Sequence, residues 1–190
     1  MKTHSTCLNP LPSRHRGVTL IELVAVLAIA SVLLGSAIPS MRNVIAAIRV
    51  NAATEALVAG LQLARGESIK RNVRVVMCKS PDGSACAATG DWDQGWIIFA
   101  DADGNADRAM TEAVIWRESA ANANVRIFGN GNVANYVSFA PVGGTQLASG
   151  AFQAGTISIC KRGSAGAAGQ QVVVNAVGRP RVQKAAIPAC

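Results

Sequence analysis

The chain has 190 residues and a formal charge of +7; half of it is hydrophobic and 4% aromatic, which leaves room for one globular domain and an appendage. Both histidines, His4 and His15, fall within the first 17 residues. Loss of that segment would leave no histidine, which excludes His-based acid–base catalysis, Ser-His-Asp or Cys-His chemistry and most zinc sites.

The charge is laid out in blocks. Residues 1–17 carry +3 and residues 42–79 carry +5, whereas residues 80–118 set eight acids against Arg108 and Arg117. No acid follows Glu118, and six cations do. A C-terminal third of one sign points to an anionic partner, though it says nothing about fold.

The first element runs through "SRHRGVTLIELVAVLAIASVLLGSAIPSMR", Ser13 to Arg42. Val18 to Ile38 contains a single charge, Glu22, and as a helix would extend roughly 30 Å, the thickness of a bilayer core. One reading is a secretory signal peptide cut after Gly35-Ser36-Ala37. Against it stand a long apolar run and a carboxylate inside it.

"RGVTLIELV" resembles the processing site of type IV prepilins and type II secretion pseudopilins. The resemblance implies a basic leader, residues 1–17, cut by prepilin peptidase after Gly17, and N-methylation of the new terminus at Val18, where phenylalanine or methionine is commoner. Glu22 matches the family's characteristic glutamate and Pro39 a recurrent proline. A carboxylate in hydrocarbon costs a few kcal/mol and needs a partner, which the free amine of a neighbouring subunit would supply. Pro39 removes a helix hydrogen bond and can kink or locally melt the helix. Residues 18–42 are thus expected to be an inner-membrane anchor first and a filament core packed with other pilins later.

Beyond Pro39 the helical pattern continues to about Arg71. Ile45, Ile48, Ala52, Ala56, Ala59 and Leu63 form one stripe, and Ala53, Leu57, Leu61 and Ala64 form another. They read either as one broad core-facing stripe or as one face for a sheet and one for neighbouring helices. After Asn72 the period changes to short β-rich runs: "VRVVMCK", "GWIIFAD", "EAVIWRE", "NVRIFG", "NYVSFAP", "GTISICK" and "QQVVVNAV". The expected fold is α+β, a long N-terminal helix packed on a mainly antiparallel sheet, with residues 43–190 as the globular domain. "RGSAGAAGQQ" reads as an exposed, mobile loop.

Within "DADGNADRAMTE", Asp101, Asp103, Asn105, Asp107 and Glu112 stand at relative positions 1, 3, 5, 7 and 12, echoing an EF-hand calcium loop. Gly104 is out of place for such a loop and the flanks read as strands, so a tight acidic hairpin turn accounts for the same residues. No metal or other cofactor is expected. Trp92 and Trp96 flank the glycine of "WDQGW" and read as core aromatics. Lys70, Arg71 and Arg74 gather at the helix end, where the helix dipole favours cations.

Setting aside Cys7 in the leader, Cys78, Cys86, Cys160 and Cys190 make an even set in an exported domain, which favours disulfides. Of the three pairings, Cys78–Cys86 closes a local loop and Cys160–Cys190 fastens the C-terminus to a strand; these are the expected pair.

"DWDQGWIIFADADGN" and the ending "VVVNAVGRPRV" resemble the FimT/GspH group of minor pilins and pseudopilins over nearly the whole chain. That group implies the type IV pilin-like fold, no enzymatic activity, and the inner membrane then the pilus surface of a Gram-negative bacterium as its location. FimT-type members bind DNA in natural transformation through a Gly-Arg-x-Arg motif, here Gly178, Arg179, Pro180 and Arg181. On a strand, Arg179 and Arg181 would share one face, and Pro180 suits an edge. Lys184, Lys161 and Arg162 would extend the patch. No aromatic interleaves these cations, which favours phosphate contact without sequence preference over base stacking. The competing reading is a solvated edge strand guarded by charge, in a GspH-type pseudopilin of type II secretion with a structural role at the tip. A secreted enzyme released after Ala37 would need a catalytic constellation, and none is visible.

Overall fold

The computed structural model describes residues 17–164 and 166–190, and residues 1–16, the expected leader apart from Gly17, lie outside the described residues. The chain divides into two compact units between Arg42 and Asn43. One helix, α1 (Leu20–Arg71), runs through that boundary, and its helical backbone continues through Pro39.

In the first unit, the α1 start is built on Thr19, whose Oγ1 accepts the Glu22 N–H at 3.3 Å while its carbonyl accepts Leu23 N–H at 3.1 Å. This is half of a Thr-x-x-Glu capping box. From Val18 to Leu34 the large apolar side chains are exposed, Leu20 at 80% and Val32 at 72%. Among the described residues of that unit nothing covers them.

In the second unit the two apolar stripes part company. Leu57, Leu61 and Ala64 are fully buried and Ala53 is half-buried, whereas Ile45, Ile48 and Leu63 are exposed. The helix therefore has one core face and one apolar face turned outward. Gly60 permits the close approach to the sheet, because a Cβ there would stand 3.1 Å from Trp96 Nε1 and 3.2 Å from Met77 Cε. The helix ends at Asn72, which adopts φ 51° in the left-handed region.

Eight strands follow: β1 (Arg74–Lys79), β2 (Trp96–Asp101), β3 (Val114–Glu118), β4 (Val125–Gly129), β5 (Tyr136–Phe139), β6 (Gly155–Lys161), β7 (Ala168–Val174) and β8 (Arg181–Ala186). They form two four-stranded antiparallel sheets, β3-β2-β1-β5 and β4-β6-β7-β8, where the sequence suggested one. Alternation sends Val75, Met77, Trp96 and Ile98 from the first sheet, and Ile127, Ile157, Ile159 and Val172 from the second, into one core with Leu57 and Leu61. The other face of the first sheet carries Val76, Ile97 and Phe99, with Cys78 and Cys86 beside them. Trp92 and Trp96 are core residues, in edge-to-face contact at 6.5 Å, and Trp92 Nε1 donates to Val133 O at 3.0 Å.

Two sequence readings are corrected here. The acidic segment is a loop from Ala102 to Ala113 between paired β2 and β3, not a tight turn. The end of "RGSAGAAGQQ" is not loop either: Ala168 to Gln171 open β7, because Gln171 pairs with Ser158 and with Gln183. Within that stretch, Ala165 lies outside the described residues.

Candidate nucleic-acid interface

The basic tail is held by a turn that only glycine can make. Val174 ends β7, and residues 175–178 turn the chain back, with Gly178 N–H donating to Asn175 O at 2.9 Å. Gly178 has φ 76°, and a Cβ there would lie 2.1 Å from Gly143 O. Both the conformation and the space therefore require glycine. The turn is also pinned from outside: Thr145 N–H donates to Ala176 O at 3.1 Å and Thr145 Oγ1 to Asn175 O at 2.8 Å. Arg179 N–H reaches Asn175 Oδ1 at 3.3 Å. The extended Arg179-Pro180 pair then leads into β8.

β8 pairs with β7 alone and forms an edge of its sheet. Val182 sits opposite buried Val172, and Lys184 opposite Gln170, whose amide meets Asn51 of α1; these positions face the helix side. Arg181 and Gln183 sit opposite Val173 and Gln171, on the other face. Because β8 begins only at Arg181, strand alternation does not extend to Arg179. Arg179 and Pro180 instead line a cavity of about 490 Å³ opposite Gln62, Arg65, Gly66 and Ile69 of α1.

Arg179, Arg181, Lys184 and Lys161 form no ion pair among the described residues. Arg179, Arg181 and Lys184 are exposed, as is Lys161 at the end of β6. Lys161 and Lys184 line one cavity at the Asn43 end of the domain helix. The C-terminus is stapled beneath them: Cys160 is bonded to Cys190, Gly163 N–H donates to Cys190 O at 2.8 Å and Gly166 N–H to Ile187 O at 2.9 Å. Cys78 is bonded to Cys86. Arg162 is differently placed. Its guanidinium is committed to the Asp93 carboxylate and to the carbonyls of Ala123 and Val125, so it is not a free member of the patch. Lys70 and Arg71 are likewise engaged, with Glu67, and Arg74 with Gly104 O, Leu147 O and Gln146.

The acidic loop brings carboxylate oxygens of Asp101, Asp103 and Glu112 within 4.8 Å of one another, without Asp107. Four of its carboxylate oxygens also hold the loop backbone. Asp101 accepts Gly104 N–H and Ala106 N–H, at 2.9 and 3.1 Å, and Glu112 accepts Ala102 N–H and Ala109 N–H, at 2.7 and 2.9 Å. Burial pushes the Asp101 carboxyl above its usual range in spite of those bonds. The carboxylates serve to shape the loop.

One contact has no signal in the sequence: Arg65 spans from α1 to Gly143 O at 2.9 Å through Nε. Nothing in the sequence near Arg65 points 78 residues ahead. The Thr19–Glu22 cap, by contrast, was readable from its spacing.

Comparison with known proteins adds the following. A family model described as type II transport protein GspH matches residues 53–178, and one described as the prokaryotic N-terminal methylation motif matches residues 12–38. Over 106 residues the chain is 37% identical to the type IV major fimbrial protein FimA of Dichelobacter nodosus and 36% identical to a fimbrial protein of the same organism. Each alignment takes in 54% of this chain, which spans only 62% of the length of those relatives. Among solved structures, the type IV minor pilin FimU of Pseudomonas aeruginosa superposes with a TM-score of 0.54 at 20% identity, over 70% of this chain and 87% of that one. That likeness is one of fold.

Proposed function

The chain belongs to the GspH family of pilin-like proteins and carries its N-terminal methylation motif, and from that premise we propose that it is a FimT-like minor pilin of a type IV pilus that binds DNA without sequence preference and aids DNA uptake in natural transformation. In this reading prepilin peptidase removes residues 1–17 and Val18 is methylated. Residues 18–42 hold the chain in the inner membrane and later pack against other pilins, with Glu22 facing a neighbour's terminal amine. Residues 43–190 stand outside the inner membrane and then on the pilus surface.

The observation that carries the DNA reading is the set of unpaired cations on and beside an exposed edge strand, Arg179, Arg181 and Lys184, in a chain segment without acids. Guanidinium forks donate two hydrogen bonds to a phosphate, and every phosphate neutralised releases condensed counterions. The absence of aromatics among these cations favours backbone contact over stacking.

The test is a fluorescence anisotropy titration of labelled duplex DNA with the mature chain in non-ionic detergent, across a range of salt. Substituting Arg179→Ala and Arg181→Ala together should weaken binding to any sequence and reduce the slope of log affinity against log salt by about two. Thermal unfolding should change little, since exposed charges contribute little to stability. The second reading is a GspH-type minor pseudopilin of type II secretion, favoured by the description of the matching family itself. Wild-type protein that shows no salt-sensitive binding would decide for it.

A further inference from the structure

The cavity between α1 and the tail has features that the tail motif alone does not explain. Its six lining residues, Gln62, Arg65, Gly66, Ile69, Arg179 and Pro180, bring one arginine from the helix and one from the tail to opposite walls, and include no acid. A single carbonyl sets their spacing. Gly143 O accepts Arg65 Nε at 2.9 Å and packs directly against Gly178, the residue before Arg179. Gly143 itself has φ 80° and approaches the helix so closely that a Cβ there would stand 2.8 Å from Ile69 Cδ1. Two glycines with left-handed backbone are thus used to press the loop at 143 onto the helix and the tail onto the loop. Arg65 is half-buried, and it forms no ion pair and no hydrogen bond through Nη1 or Nη2 among the described residues. A half-buried guanidinium with its Nε anchored and its outer nitrogens free is pre-organised to receive an anion, at a smaller cost in side-chain entropy than a fully mobile one.

We propose that Arg65 and Arg179 form a two-walled pocket for one phosphate of the bound nucleic acid, so that the interface extends from the tail onto the C-terminal half of α1. The proposal rests on the DNA-binding reading above and deepens it. Arg181, on the opposite face of the β8 edge, contacts a different phosphate from the one that Arg65 and Arg179 share. One phosphodiester strand therefore lies across the start of β8, with Pro180, which has no N–H to offer, at the crossing. A phosphodiester presents the same two non-bridging oxygens at every nucleotide, so the contact is the same for any DNA.

The test uses the full mature chain in detergent and fluorescein-labelled duplex DNA. Arg65→Gln removes the charge but keeps an amide that can donate to Gly143 O. It should weaken binding roughly three- to tenfold and, because Arg179 still holds the shared phosphate, reduce the salt slope by less than about one, with thermal unfolding unchanged. Arg65→Lys, which keeps the charge, should recover most of the slope. In a double-mutant cycle, Arg65→Gln and Arg179→Ala should cost less together than the sum of their separate effects, since they grip one phosphate. Arg65→Gln with Arg181→Ala should be additive. Wild-type affinity and slope in Arg65→Gln, alongside loss in the Arg179/Arg181 variant, would overturn the pocket and leave the tail reading standing. Absence of salt-sensitive binding by the wild type would overturn both.

Discussion

At the scale of single residues, the proposed function divides the Gly-Arg-x-Arg motif into a positioning half and a contacting half. Gly178 touches no ligand in any reading; its φ of 76° and its approach to Gly143 O set where Arg179 begins. Gly178→Ala should therefore cost about 1–3 kcal/mol from backbone strain and contact combined. It should also weaken DNA binding although no charge is lost, and urea denaturation beside the anisotropy titration would check both effects. The arginines were legible in the sequence because only Pro180 separates them in it. Arg65 was not, because its relation to the tail passes through the loop at Gly143, and a contact between residues 65 and 143 leaves no local pattern. Arg162 shows the reverse case: expected to join the patch beside the Cys160–Cys190 link, it pairs with Asp93, a residue 69 positions away in sequence.

At the scale of elements, α1 separates into two faces with different duties. The face with Leu57 and Leu61 is the domain core, while Ile45 and Ile48 stay exposed, at 41% and 61%. Leu57→Ala should destabilise the domain by about 2–5 kcal/mol in urea denaturation. Ile48→Ala should change it by no more than about 0.5 kcal/mol. In the pilin reading Ile48→Ala should instead lower the amount of this chain recovered in sheared filaments; unchanged recovery would assign that face no packing role. The spacing of apolar residues revealed both stripes, but periodicity carries no information about which one meets the sheet. The strands were similarly legible as runs of alternating β-formers, and their division into two sheets was not, since Val125 to Gly129 and Tyr136 to Phe139 look alike yet join different sheets. β7 was read as starting two residues late because Ala168 and Gly169 have little strand propensity; their pairing with Ala186 and Ala185 overrides it.

At the scale of the whole molecule, the N-terminal apolar segment and the basic C-terminus belong to different solvents. If the pilin reading holds, Edman or mass-spectrometric analysis of the mature chain should find Val18, N-methylated, as its first residue; Ile38 would mark a cleaved signal peptide and remove the anchor. The link between Cys160 and Cys190 matters in a further way once the chain is imagined under load. A polymer held by Arg179, Arg181 and Lys184 and then dragged would pull on an outermost strand, the one most easily peeled from its neighbour. Yet β7 and β8 both lie inside the covalent ring that this disulfide closes, and the ring is anchored in β6, an interior strand. Tension entering at the grip cannot unzip the C-terminus as a free end, and it is handed on to the middle of the sheet. In the DNA-binding reading, a surface for weak, salt-sensitive holding would thereby be mounted on a support that tolerates traction.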